Sequence, residues 1–142
     1  MTAHLIDGKA CAAKVQQQVD DAIVARMSAG KPAPTLATLL VGADPASQVY
    51  VRNKRESCRK LGVRSLPMEL PPTVTQAELL KEIDRLNAEP NVDGILVPLP
   101  FPPQLYSNPV LYRIHPHKDV ERFHPYHFRL LAHTPPPPAP YP

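Results

Sequence analysis

Thr35-Leu36-Ala37-Thr38-Leu39-Leu40-Val41-Gly42-Ala43-Asp44-Pro45-Ala46-Ser47-Gln48-Val49-Tyr50-Val51-Arg52-Asn53-Lys54 is a strand that runs straight into a helix. Its first seven residues are apolar and β-rich and lie between Pro34 and Gly42, as expected of a strand buried on both faces. Asp44 suits a helix N-cap, and Pro45 suits the first helical position, where a missing N–H costs nothing. The helix is expected to end near Leu61, with Gly62 as its left-handed stop. On it Tyr50 and Lys54 stand at i and i+4, on one face and near the N-terminus. A ring that can stack on a flat substrate, beside an amine that can move a proton, is a candidate catalytic pair. The same spacing also suits an ordinary surface lysine next to a half-buried tyrosine.

The flanking sequence extends the pattern. From Lys9 to Ala29, apolar residues Ala12, Val15, Val19, Ala22, Ile23 and Met27 recur at helical spacing, closed by Gly30. Val63 to Leu70 reads as a second strand. Thr75-Gln76-Ala77-Glu78 is a capping box, and Leu79, Leu80, Ile83 and Leu86 form the apolar stripe of the helix it opens. Asp93 to Val97 is a third strand. This alternation predicts an α/β domain of three layers, a short parallel sheet flanked by helices with right-handed crossovers. Ligands of such sheets sit beyond the C-terminal strand ends. The segments after Val41 and after Val97 should therefore be neighbours, bringing Tyr50 and Lys54 near whatever follows the third strand.

A chain of 142 residues and net charge +3 has room for one domain and is not a polycation. Arg52, Lys54, Arg55, Arg59 and Lys60 form a local basic cluster, either a solvated helix face or an attractor for an anionic ligand. It is short and lacks an accompanying aromatic series, so no nucleic-acid partner is expected. Cys11 and Cys58 have no metal-ligand spacing and read as cytosolic thiols, Cys58 as a small buried apolar residue rather than a nucleophile. No secretory pattern or membrane-length apolar run is evident, so a cytoplasmic protein with no membrane partner is expected. After Val97 the composition changes: residues 98–142 hold 13 of the 20 prolines and five of the six histidines. The spacing of His115, His117, His124, His127 and His133 matches no usual ligand set, and no metal is expected. Residues 132–142 read as a proline-rich, disordered, extended tail. A polyproline docking role for it is a further reading that nothing else in the chain supports.

Several ordered motifs carry a resemblance. They are Ile6-Asp7-Gly8-Lys9, the Leu36–Ser47 run with Tyr50 and Lys54, Asp93-Gly94-Ile95-Leu96-Val97 with Leu99-Pro100, His115-Pro116, Lys118-Asp119-Val120, and Phe123-His124-Pro125-Tyr126. From about residue 5 to 131 the chain resembles the substrate-binding, catalytic domain of the bifunctional methylenetetrahydrofolate dehydrogenase/methenyltetrahydrofolate cyclohydrolase family. The resemblance implies a folate-type ligand, one-carbon metabolism, purine biosynthesis and NADP as the family's cofactor. It also implies a family homodimer that depends on a second domain. In that family a hydride leaves the methylene bridge for NADP, and water then opens the methenyl cation. By the match Lys54 is the catalytic amine that shuttles protons, and Tyr50 stacks on or orients the folate. Val97, Leu99, Pro100 and Glu121 fall at substrate-binding positions.

The chain departs from that pattern after Val97. The family's glutamine, which hydrogen-bonds the lysine, is Pro98 here, with no side-chain donor or acceptor. The aspartate that grips the pterin is Glu121, one methylene longer. The glycine after it is Arg122, a poor substitute where positive φ is required. Asp119 matches a different position of the motif, and His127 replaces a polar asparagine. The five glycines, at 8, 30, 42, 62 and 94, contain no G-x-G pair, so no dinucleotide loop is present. The expectation is a domain of residues 1–131, divergent after 97, without the NADP-binding Rossmann domain. NADP is then not stably held, hydride transfer is not expected, and cyclohydrolase activity is weak at best. The alternative is a non-catalytic remnant that binds folate or a protein partner.

Overall fold

A computed structural model describes residues 7–133. Three parallel strands, β1 (Thr35–Val41), β2 (Arg64–Leu70) and β3 (Gly94–Leu96), form a sheet in the order β2-β1-β3. Five helices accompany them: α1 (Gly8–Ser28), α2 (Pro45–Lys60), α3 (Gln76–Ala88), α4 (Ser107–Arg113) and α5 (Pro125–His133). Central β1 pairs with β2 from Thr35↔Arg64 to Val41↔Leu70 and with β3 from Leu36↔Gly94 to Thr38↔Leu96. The chain leaves β1 toward β2, then crosses back over β1 to β3. With right-handed crossovers, α2 and α3 fall on opposite faces. The fold is α/β, as the alternating pattern implied.

The period of two along β1 divides the core. Ala37, Leu39 and Val41 pack on one face with Leu79, Ile83 and Leu86 of α3 and with Val110 and Ile114 of α4. Leu40 points to the other face, where α2 buries Val51 and Cys58. Fully buried side chains such as Leu39, Leu79 and Ile83 each contribute about 1.5–3 kcal/mol of transfer free energy. Strand β2 is an exposed edge, and it tolerates Pro67 for that reason.

The local signals hold where they concern caps. Asp44 accepts a hydrogen bond from Ser47 N at 2.8 Å, with Pro45 in the first turn. Thr75 and Glu78 make the reciprocal capping box. Gly62 ends α2 at φ +70°. Strands β2 and β3 are shorter at their ends than the apolar runs that encode them.

One expectation is refined and one needs correcting. The apolar residues of α1 lie on a helix, as their spacing implied, but only Ile23 is buried, while Val15 and Met27 are 57% and 53% exposed. Among the described residues, α1 meets the domain toward its C-terminal end. There Arg26 Nε donates to Pro32 O at 2.7 Å, and Ile23 lies by Gly62. The proline-rich region after Val97 holds two helices that the sequence reading did not include. Pro109 and Pro125 sit in their first turns, where proline removes no intrahelical bond. Helix α5 runs through His133, so the first two residues of the tail expected over 132–142 are helical, and residues 134–142 lie outside the described residues.

Candidate functional site

Strand order 2-1-3 puts a topological switch between β1 and β3, the place where open α/β sheets bind ligands. Three segments meet there: the start of α2, the exit from β3, and the loop 118–124. Ser47 Oγ donates to Leu99 O at 3.3 Å, tying α2 to the β3 exit. Loop 118–124 is held from both sides. Lys118 Nζ donates to Leu86 O and Glu89 O at 3.0 and 2.7 Å, covering the C-terminal carbonyls of α3. Ile95 N donates to Lys118 O at 2.7 Å, and Asp119 bridges Ile95 in parallel beyond β3. Gly94 permits that approach, because a Cβ there would meet Val120 Cγ1 at 2.6 Å.

The buried Asp119 carboxylate organises the loop. It accepts from Glu121 N at 3.1 Å, Arg122 N at 2.9 Å and His124 N at 2.8 Å. This folds Arg122 into the left-handed region at φ +60° and leaves its side chain exposed. The turn aims Glu121 at α2, where Tyr50 Oη donates to Glu121 Oε1 at 3.3 Å. Lys54 Nζ lies 5.4 Å from the centre of the Tyr50 ring, within cation–π range.

Tyr50, Pro98, Leu99, Glu121 and Phe123 line a crevice of about 260 Å³. Sequence reasoning named four of these residues. Phe123 was quoted only as part of a motif, and an aromatic two residues after a candidate acidic group was its available signal. Pro98 is buried in the crevice wall and has no side-chain hydrogen-bonding group to offer there. Val97 belongs to the core behind the wall, and Pro100 opens onto neighbouring cavities. The role of Asp119 was not foreseen, since its partners are backbone groups that its own turn brings together.

Electrostatics favour protons on both crevice acids. Burial is the main cause holding the Glu121 carboxyl above the ordinary glutamate range. The Asp119 charge adds to that rise, while the Tyr50 hydrogen bond and the Lys54 charge oppose it. The Tyr50 phenol is also raised, by burial first and then by Glu121. It therefore stays a donor. Burial pushes the Cys58 thiol up against the Lys54 charge, which suits packing rather than nucleophilic attack.

The basic cluster does not converge on the crevice. At about 100° per residue, Gln48, Arg52 and Arg55 lie roughly 150° around α2 from Tyr50 and Lys54, across the buried line of Ser47, Val51 and Cys58. Three of the described histidines have local partners for a ring nitrogen. His115 Nδ1 accepts from His117 N, His124 Nδ1 accepts from Tyr126 N, and the His127 ring contacts Pro116 O. Among the described residues, no group of three His, Cys, Asp or Glu is arranged to hold a metal ion. No helix among them is long and apolar enough to cross a membrane.

A dinucleotide fits this arrangement poorly. The β1–α2 turn has one glycine, Gly42. Pro45 has no N–H, and the Asp44 carboxylate already occupies the α2 N-terminus where a pyrophosphate would sit.

Residues 6–121 match the family model for the tetrahydrofolate dehydrogenase/cyclohydrolase catalytic domain. Among solved structures, the bifunctional methylenetetrahydrofolate dehydrogenase/cyclohydrolase of Campylobacter jejuni is 40% identical, with a TM-score of 0.84 over 88% of this chain and 44% of its own. The methylenetetrahydrofolate dehydrogenase of the silkworm Bombyx mori is 38% identical, with a TM-score of 0.86 over 92% and 45%. The Trypanosoma brucei dehydrogenase–cyclohydrolase, solved with NADP cofactor and inhibitor, is 34% identical, with a TM-score of 0.82 over 92% and 45%. The chain spans less than half the length of these relatives.

Proposed function

The chain belongs to the tetrahydrofolate dehydrogenase/cyclohydrolase family, and we propose that its β1/β3 crevice binds a one-carbon-substituted folate, with Lys54 moving the proton of the hydrolytic step. The observation that carries this reading is the Glu121–Tyr50–Lys54 arrangement at the switch point of the sheet. Tyr50 offers a ring against which a flat pteridine or aminobenzoyl group can stack. Glu121 offers a carboxyl to a ring amine. Burial holds that carboxyl above the ordinary glutamate range, and whenever it carries a proton it can donate as well as accept. Water and a proton shuttle are sufficient for opening a methenyl cation, and a positioned acid or base contributes about 10²–10⁴-fold.

The described residues do not fit a resident dinucleotide, so no hydride step is derived for them. One observation favours a second reading, binding without turnover: Pro98 stands in the crevice wall and supplies no side-chain group to orient an amine.

The decisive assay follows loss of methenyltetrahydrofolate absorbance, alongside folate binding by equilibrium dialysis. Catalysis predicts a rate above buffer that Lys54→Ala removes and Pro98→Gln raises. A buffer rate with binding that Tyr50→Ala weakens selects the second reading. Neither rate nor binding would reject the proposal.

A further inference from the structure

The larger cavity of the domain is not the Tyr50–Glu121 crevice. A volume of about 690 Å³, in the range of small-molecule sites, opens between the other flank of α2 and the ends of β1 and β2. Gln48, Arg52 and Arg55 of α2 face Glu69 across it, and Leu70 and Pro72 supply apolar wall.

Its polar groups are incompletely matched. Arg55 Nη2 pairs with Glu69 Oε1 at 3.2 Å, which leaves Arg55 Nη1 with no hydrogen-bond partner among the described residues, while Nε is enclosed by protein without one. A buried N–H without an acceptor is costly. Arg52 has no hydrogen-bond or ion-pair partner among the described residues. Two guanidinium forks so arranged suit an anion with several oxygens, which Arg grips bidentately. Glu69, an acceptor when ionised, calls for a donor on the same molecule.

We propose that this cavity binds a small organic phosphate carrying hydroxyl groups, Arg52 and Arg55 taking the phosphate and Glu69 accepting from a hydroxyl. The site is separate from the folate crevice. Ser47, Val51 and Cys58 pack against the sheet between the two.

Ribose 5-phosphate, inorganic phosphate and ribose, titrated separately into the full chain and followed by backbone amide NMR, test this. Ribose 5-phosphate should give saturable shifts at residues 42–43, 48–55 and 69–72, leaving Leu99, Glu121 and Phe123 unmoved. Arg52→Gln should weaken binding about tenfold or more, the loss of one charge-assisted contact. Arg52 is exposed and unpartnered, so the variant should keep its melting temperature. Arg55→Lys, which keeps the charge but not the fork, should also weaken binding. Inorganic phosphate should bind more weakly than the sugar phosphate; equal binding overturns the role given to Glu69. Ribose binding as tightly overturns the role given to the arginines. No saturation at millimolar ligand, shifts centred on Glu121, or affinity unchanged in both variants overturns the site.

Discussion

Arg122→Gly should stabilise this protein. Arg122 sits at φ +60°, where an L side chain brings its Cβ against the following carbonyl at a cost of about 1–2 kcal/mol. Its side chain is exposed with no partner among the described residues, so truncation removes no contact. The hydrogen bond from Arg122 N to Asp119 Oδ1 at 2.9 Å is made by the backbone and survives. Against the relief stands the added freedom of glycine in the unfolded chain, about 0.4–1 kcal/mol. The balance is a gain of roughly 0.5–1 kcal/mol, or a rise in melting temperature of about 2–4 °C for a domain of this size. Thermal unfolding followed by circular dichroism measures it. Arg122→Ala is the control: it removes the guanidinium but keeps the Cβ, so it should not raise the melting temperature. A glycine variant that melts lower, or an alanine variant that gains as much, would refute the backbone argument.

The Glu121 carboxyl, raised chiefly by burial, makes the folded state retain a proton that the unfolded chain has lost. Stability should therefore fall as pH rises from the ordinary glutamate range through the folded-state value, and Glu121→Gln should flatten that slope. Tyr50→Phe removes the donor that favours the carboxylate, so carboxyl-carbon NMR should find Glu121 titrating still higher; a downward shift would contradict the assigned hydrogen bond. Ile83→Ala, at a fully buried position, should cost about 2–5 kcal/mol in denaturant unfolding. Val15→Ala on the exposed stripe of α1 should cost less than about 0.5 kcal/mol. Comparable losses at the two positions would mean that α1 is covered in solution.

Cavity size and the convergence of ionisable groups point to different places. The larger space lies beside Arg52 and Arg55, whereas Tyr50 and Glu121 line the smaller one. What marks the smaller crevice is the convergence of a phenol, a carboxyl with a raised pKa and an amine at the strand-order reversal.

The local signals were readable because each is short in range. Asp44 with Pro45, Thr75 with Glu78, and Gly62 act within one helical turn, and the largely apolar, β-rich run of β1 encodes a strand covered on both faces. The i, i+4 spacing of Tyr50 and Lys54 likewise follows from helix geometry. Helices α4 and α5 escaped because proline reads as a breaker unless its place in the first turn is known. The idle stripe of α1 escaped because periodicity reports which side chains share a face, not whether anything packs on it. The partition of α2 into a Tyr50–Lys54 flank and an Arg52–Arg55 flank needed the strand order β2-β1-β3, which puts different strand ends beside each. Glu121 meets Tyr50 across 71 residues of chain, held there by three backbone bonds to Asp119. Contacts that distant in sequence are decided by tertiary packing.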